Sequence, residues 1–401
     1  MEGITLTCSD GIELHGQRWR KRKRRRRRRT VDEEFTVNDD SPYAANCKDH
    51  STPPTTRRLR ILCLHGFLDN CRSHYLLGPN LVTHLTEENN DNDDDEVDVD
   101  VVTIDLPGHG WSSHKSRDVP ASWLVSDYCY YIAETVTRLG WTTVGNENQT
   151  IQQQHPHPLP WNNDESFVLI GHSFGGAISI EYAATFPEQV QALILLDAHG
   201  PDYETPDRIS ARIRNHVLDR YHYNQKTNNT KDDNSKNNNN NNNNVFKTKQ
   251  YSNLHAAVQT RMDTARFSPG GHQWLSQEAA TELVQRATCV AWDDRTVQFV
   301  HDGRLKHSPP LLLPTLDHVL ACWNNLTCPV YCLYAKDGWP FNPLDIQRAH
   351  DQVSNNNNSN TNLVVETLPG SHHFHADPDT APRVVEAIVR FLQKAGIGIY
   401  C

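Results

Sequence analysis

Residues 167–187 read FVLIGHSFGGAISIEYAATFP. The stretch opens on an apolar run, turns through Gly171-His172-Ser173-Phe174-Gly175, and continues at helical spacing. A short apolar run of this kind reads as a buried strand, and the longer pattern after it as a helix. The pentapeptide fits G-x-S-x-G. Between a strand and a helix that turn is sharp, so glycines flank the serine where larger side chains would clash. The first N–H groups of the helix point at the same spot and favour developing negative charge there. Ser173 is therefore a candidate nucleophile. The competing reading is a structural Gly-Ser turn. Short motifs recur by chance, and the strand–turn–helix setting is what favours the nucleophile.

Working outward, LRILCLHG, VDVVTIDLPGHGWS, VQALILLDAHG, CPVYCLYA and NLVVETLPG also read as strands. SHYLLGPNLVTHL, WLVSDYCYYIAETVTRLG and APRVVEAIVRFLQKAG have helical spacing. The alternation predicts an α/β fold with a mostly parallel central sheet flanked by helices. ITLTCSDGIELHGQRW predicts a β-hairpin at the start. From about residue 198 to 327 the pattern loosens into helix-like pieces. A helical cap inserted after the sixth strand accounts for this, with an Asn-rich insert over about 224–250. The core then comprises 1–197 and 328–401. An insertion over about 20–56, polybasic and then acidic, and an acidic loop over 87–96 lack the apolar content to pack.

The chain has 401 residues, a formal net charge of -10 and 10 cysteines. Mean hydropathy is -0.68, and the polar tracts account for much of that value. The overall charge is not that of a nucleic-acid binder. The run RKRKRRRRRR at 20–29 would attract any polyanion, but the neighbouring Asn repeats favour a low-complexity expansion, so no obligate nucleic-acid partner is expected and the run stays a weak candidate for nucleic-acid binding. The first residues lack the apolar core of a signal peptide, and no segment has the apolar length of a membrane span. The cysteines form no CxxC pair and several fall in apolar runs, which suits reduced thiols. These features predict an intracellular, cytoplasmic protein, with nuclear or peroxisomal routing also compatible. Length and composition fix no oligomeric state.

A nucleophilic serine needs a base, an acid and an oxyanion hole. The late segment LPGSHHFHADP offers His372, His373 and His375. His372 follows the turn and is the first choice for the base, with His373 as runner-up. A metal-binding reading of this cluster lacks the usual zinc spacing, and no metal or cofactor is expected. Asp197 ends ALILLD and Asp337 follows VYCLYA, so both are candidates for the acid. An Asp at a strand end also commonly caps a turn. The oxyanion donors are expected from the N–H groups of Phe174 and Phe67, the latter in LHGFLDN. His65 and Gly66 would shape that loop, with His65 as a hydrogen-bonded turn residue.

The segments LCLHGFLDNCRSH, VVTIDLPGHGWSSH, LIGHSFGGAISIEYAATFPEQVQALILLDAHG and LPGSHHFHADP together resemble the serine hydrolase-like proteins of the α/β-hydrolase superfamily. The resemblance covers the sheet domain and extends into the cap at FVHDGRLKHSPPLLLPTLDHVLACWNNLTCPV. It does not cover the polybasic and Asn-rich tracts. It implies Ser173 as nucleophile and His372 as base. Aligned on Pro329, Asp337 falls one residue short of the usual acid position, which Gly338 occupies. The related haloalkane dehalogenases place the acid where Asp197 stands. Asp197 is therefore preferred, with Asp337 as the alternative. A serine, unlike the nucleophilic Asp of dehalogenases and epoxide hydrolases, suits acyl transfer to water. The expected activity is hydrolysis of a carboxylic ester or related small acyl substrate through a Ser-His-Asp triad. A ligand-binding protein on the same scaffold is the alternative.

Overall fold

A computed structural model describes residues 1–23, 56–87, 96–116, 125–142, 166–229, 249–267, 273–291, 296–307, 313–354 and 362–397. The elements, in chain order, are β1 (Glu2–Thr7), β2 (Glu13–Lys23), β3 (Thr56–Leu64), α1 (Leu77–Glu87), β4 (Glu96–Ile104), α2 (Asp127–Arg138), β5 (Phe167–His172), α3 (Phe174–Thr185) and β6 (Val190–Leu196). After β6 come α4 (Pro206–Asn229), β7 (Gln250–Tyr251), α5 (Leu254–Arg266), α6 (Gln277–Ala287), β8 (Thr288–Val290), β9 (Val297–Phe299), α7 (Arg304–His307) and α8 (Leu316–Asn324). The chain closes with β10 (Val330–Asp337), α9 (Pro343–Ser354), β11 (Leu363–Ser371) and α10 (Ala381–Lys394).

Eight strands form one sheet in the order β1-β2-β4-β3-β5-β6-β10-β11. The β1–β2 and β2–β4 pairs are antiparallel. The pairs from β4 to β11 are parallel. Strands buried on both faces need apolar residues at every position, which is why β5 is buried throughout. Its side chains alternate between two cores. Phe167 and Leu169 join the layer containing α2, α3 and α8, while Val168 and Ile170 join the layer containing α1 and α10. α10 buries Val384, Val385, Ile388, Val389 and Leu392 along one face, at the spacing of an amphipathic helix. α3 is apolar nearly all round because the sheet, α2 and α8 enclose it.

The polybasic tract departs from expectation at its start. β2 continues through Lys23, so Arg20 to Lys23 are strand residues and not part of a disordered insertion. Arg18 pairs with Asp100, and Arg20 with Asp98, across the β2–β4 pair. The acidic residues of β4 neutralise these bases locally. Lys23 and Thr56 pair with Val97 and Glu96, so both flank the start of β4. The rest of the run, residues 24–29, lies outside the described residues, as do 88–95 of the acidic loop and 230–248 of the Asn-rich insert.

The segment between β6 and β10 is not purely helical. β7, β9 and β8 form a three-stranded antiparallel sheet beside α5 and α6. At two or three residues each, these strands carry too little periodicity to be read from sequence. α4 also runs to Asn229, past the expected start of the Asn-rich insert. Ala257, Val258, Ala279, Ala280, Leu283 and Val284 of α5 and α6 form a small third core together with Ala376, which follows β11. Arg286 on α6 binds the fully buried Asp105 after β4 at 2.9 Å, which anchors this small core to the sheet domain.

Candidate active site

The parallel strands β3, β5, β6, β10 and β11 all point their C-terminal ends at one edge, and the site is built there. Among the described residues, three non-glycine residues have positive φ: Leu68 (60°), Ser173 (52°) and Asp197 (43°). All three lie just past strand ends at this edge. Such conformations cost of order 1–3 kcal/mol each and persist where the surroundings hold them. Ser173 sits between β5 and α3, with its N–H bonded to Leu196 O at 3.1 Å. The flanking glycines are needed for space. A Cβ at Gly175 would lie 2.4 Å from Leu64 O, and one at Gly171 would lie 2.5 Å from Gly175 O. This packing sets the start of α3 against the end of β3.

His372 and Asp197 meet across the sheet edge. His372 Nδ1 donates to Asp197 Oδ2 at 2.6 Å, and both residues are buried. Asp197 also accepts from Ala335 N at 3.1 Å and Trp339 N at 2.8 Å. Three donors converge on one carboxylate, which fixes its orientation and the imidazole tautomer. Asp337 is exposed at the end of β10. A Cβ at Gly338 would fall 2.4 Å from Asp197 Oδ1. Position 338 thus leaves room for a carboxylate that arrives from β6.

His373 faces a different partner. Its Nε2 lies 2.9 Å from Asp69 Oδ2, and Arg261 from α5 donates to Asp69 Oδ1 at 2.7 Å. Burial alone would raise the Asp69 carboxyl, but His373 and Arg261 outweigh it and hold it below the usual carboxylate range. Burial pushes His373 itself down, so near neutral pH Arg261 is the lasting cation beside Asp69. His172 Nε2 donates to the His372 carbonyl at 2.9 Å, tying the serine turn to the His372 loop. Burial, and then the neighbouring histidines, push His172 well below its ordinary value. His65 accepts from Leu106 N at Nε2 and lies 2.8 Å from Gly66 O, a turn-shaping arrangement.

Phe67 and Phe174 pack edge to face, with ring centroids 5.7 Å apart. Together with Ser173 they line a cavity of about 360 Å³. Val125, Leu313, Trp339 and Phe341 complete its apolar wall, and His199, Asp202 and Arg212 supply polar groups. Burial, and then His350, push His199 down to about 4. Gln273, before α6, bridges the His372 loop and the turn after β10. Its Oε1 accepts from His372 N at 2.8 Å, and its Nε2 donates to Gly338 O at 2.5 Å. Sequence reasoning gave no role to Gln273, Asp69 or Arg261. Asp69 lies inside the quoted LHGFLDN loop and was legible as part of it. Gln273 and Arg261 sit in the cap and have no local signature.

Residues 60–377 match the family described as "alpha/beta hydrolase fold", and the chain belongs to that family. Within it, the similarities run to serine hydrolase-like proteins. The chain is 26% identical over 340 residues to a Drosophila melanogaster protein named "Probable serine hydrolase", covering 84% of this chain and 82% of that one. It is likewise 26% identical to the "Serine hydrolase-like protein" of Danio rerio, covering 83% and 81%. Among solved structures, a hypothetical protein of Pseudomonas aeruginosa PAO1 has a TM-score of 0.64 at 22% identity, covering 98% of this chain and 99% of that one. A thioesterase domain from the curacin biosynthetic pathway has a TM-score of 0.62 at 16% identity, covering 97% and 99%. These two likenesses concern the fold. Among the described residues, no helix is long and apolar enough to cross a membrane.

Proposed function

We propose that the protein is a serine hydrolase acting on a carboxylic ester or related acyl compound. The observation that carries this reading is the buried 2.6 Å pair of His372 and Asp197, beside a serine held at φ 52° between strand and helix. In this mechanism His372 Nε2 takes the Ser173 proton as Oγ attacks the substrate carbonyl. The N–H groups of Phe67 and Phe174 stabilise the oxyanion. The proton passes from His372 to the leaving alcohol or thiol, which departs from the acyl-enzyme. His372 then deprotonates a water molecule, which attacks the acyl carbonyl and frees the acid and Ser173. Asp197 holds the imidazole and stabilises its cationic form. The apolar cavity wall favours an uncharged acyl chain of modest size.

The test is labelling of the intact protein with a fluorophosphonate probe. Wild type is expected to label, and Ser173→Ala to lose the label. Retained label in Ser173→Ala would place the reactive group elsewhere. A folded wild type that does not label would favour a ligand-binding protein on this scaffold.

A further inference from the structure

Beneath the base loop lies a buried set of donors that the proposed hydrolysis does not use. Asp69, His172 and His373 each offer one ligand atom, and these atoms lie within 4.8 Å of one another. His172 is fully buried, and its Nε2 is occupied by the His372 carbonyl. Its Nδ1 therefore carries the lone pair, and it finds no hydrogen-bond partner. A methyl group at position 66 would lie 3.0 Å from His172 Nδ1 and 3.2 Å from Asp69 Oδ2. The two atoms thus border the same space over Gly66. His373 Nε2, at 2.9 Å from Asp69 Oδ2, completes the group of three.

We propose that Asp69 Oδ2, His172 Nδ1 and His373 Nε2 form a site for one divalent transition-metal ion of the zinc class. Two imidazoles and one carboxylate suit such an ion, with metal–ligand distances of about 2.0–2.2 Å. In a tetrahedral shell donor atoms at those distances sit about 3.3–3.6 Å apart, so the 2.9 Å hydrogen bond between His373 Nε2 and Asp69 Oδ2 would open by about 0.5 Å as the ion replaces its proton. His373 takes up the ion by holding its proton on Nδ1. Arg261 bonds Oδ1 of Asp69 and so leaves Oδ2 to the ion. The same Arg261 Nη2 lies 3.4 Å from His373 Nε2, and binding of the ion would lengthen that contact while the bond to Oδ1 is kept. Bound metal would link the residue before Ser173 to the residue after His372, joining the serine turn to the base loop. The site stands on its own geometry and does not depend on the serine being reactive.

The test uses the full chain, stripped with a chelator and titrated with Zn²⁺ by calorimetry. The Co²⁺-loaded protein is then studied by X-ray absorption. One ion per chain is expected, in a shell of nitrogen and oxygen with scattering from two imidazoles. His373→Gln and Asp69→Asn, each checked for folding by circular dichroism, should lower affinity by roughly 100-fold. No Zn²⁺ binding to the wild type would overturn the proposal. A sulfur shell, which would implicate the cysteines, would also overturn it, as would unchanged affinity in both folded variants. If neither variant folds, the wild-type shell decides: two imidazoles uphold the site, and fewer overturn it.

Discussion

Asp197 and Asp337 end neighbouring strands, yet only Asp197 is built as a buried acceptor. It receives His372 and two backbone N–H groups, whereas Asp337 faces solvent. The two should therefore respond differently to the same substitution. Asp197→Asn offers His372 a poorer partner and disturbs its tautomer, so probe labelling should slow by up to about 10⁴-fold. Asp337→Asn should label within about twofold of wild type, since surface changes away from a site have small effects. Labelling rates measured side by side decide this, and equal slowing of both would contradict the assignment. Sequence reasoning held both residues open because each follows an apolar run by a step or less. What separates them is the close approach of Gly338 to the Asp197 carboxylate, a contact between positions 141 residues apart in the chain.

At the level of elements, the strands and the serine turn were readable because each is local. β5 is an unbroken apolar run, and the glycines around Ser173 mark a turn that few other sequences satisfy. Gly175 also sets how closely α3 approaches β3. Gly175→Ala should cost about 3 kcal/mol through overpacking against Leu64 and His65 backbone. A lowered urea midpoint would report it, and an unchanged midpoint would show that α3 can shift without penalty. The cap was less legible for the opposite reason. Its contacts are long in sequence: Arg286 reaches Asp105 across 181 positions, and Arg261 reaches Asp69 across 192. No period or spacing within the cap encodes those partners. The histidine run at 372–375 was visible, but His172 and Asp69 come from other strand ends, so the cluster they complete was not.

For the molecule as a whole, buried histidines set the response to acid. Burial pushes His65 and His74 down to about 3, so both are neutral when folded. In the unfolded chain a histidine takes up a proton near pH 6.5. Their contribution to stability is therefore present above about pH 6.5 and is lost as the pH falls toward the folded value. Each loses up to about 1.4 kcal/mol per pH unit across that window. His172 and His375, pushed down in the same way, add to the slope. Asp69, held below its usual range, has the depressed-carboxylate sign. Its contribution is present above the unfolded carboxylate value and is lost at more acid pH still. Urea midpoints should fall steeply between about pH 7 and pH 5, and a flat profile would refute the neutral-histidine reading. The register around β4 has a practical consequence as well. Lys23 and Thr56 flank the start of that strand, so their backbones are two inter-strand spacings, about 10 Å, apart. Four residues of linker reach that far. A shortened gene with a Gly-Ser bridge in place of residues 24–55 should yield protein that labels at the wild-type rate. The same joint, at the end of the sheet remote from Ser173, is then a place to splice in an affinity handle or reporter domain.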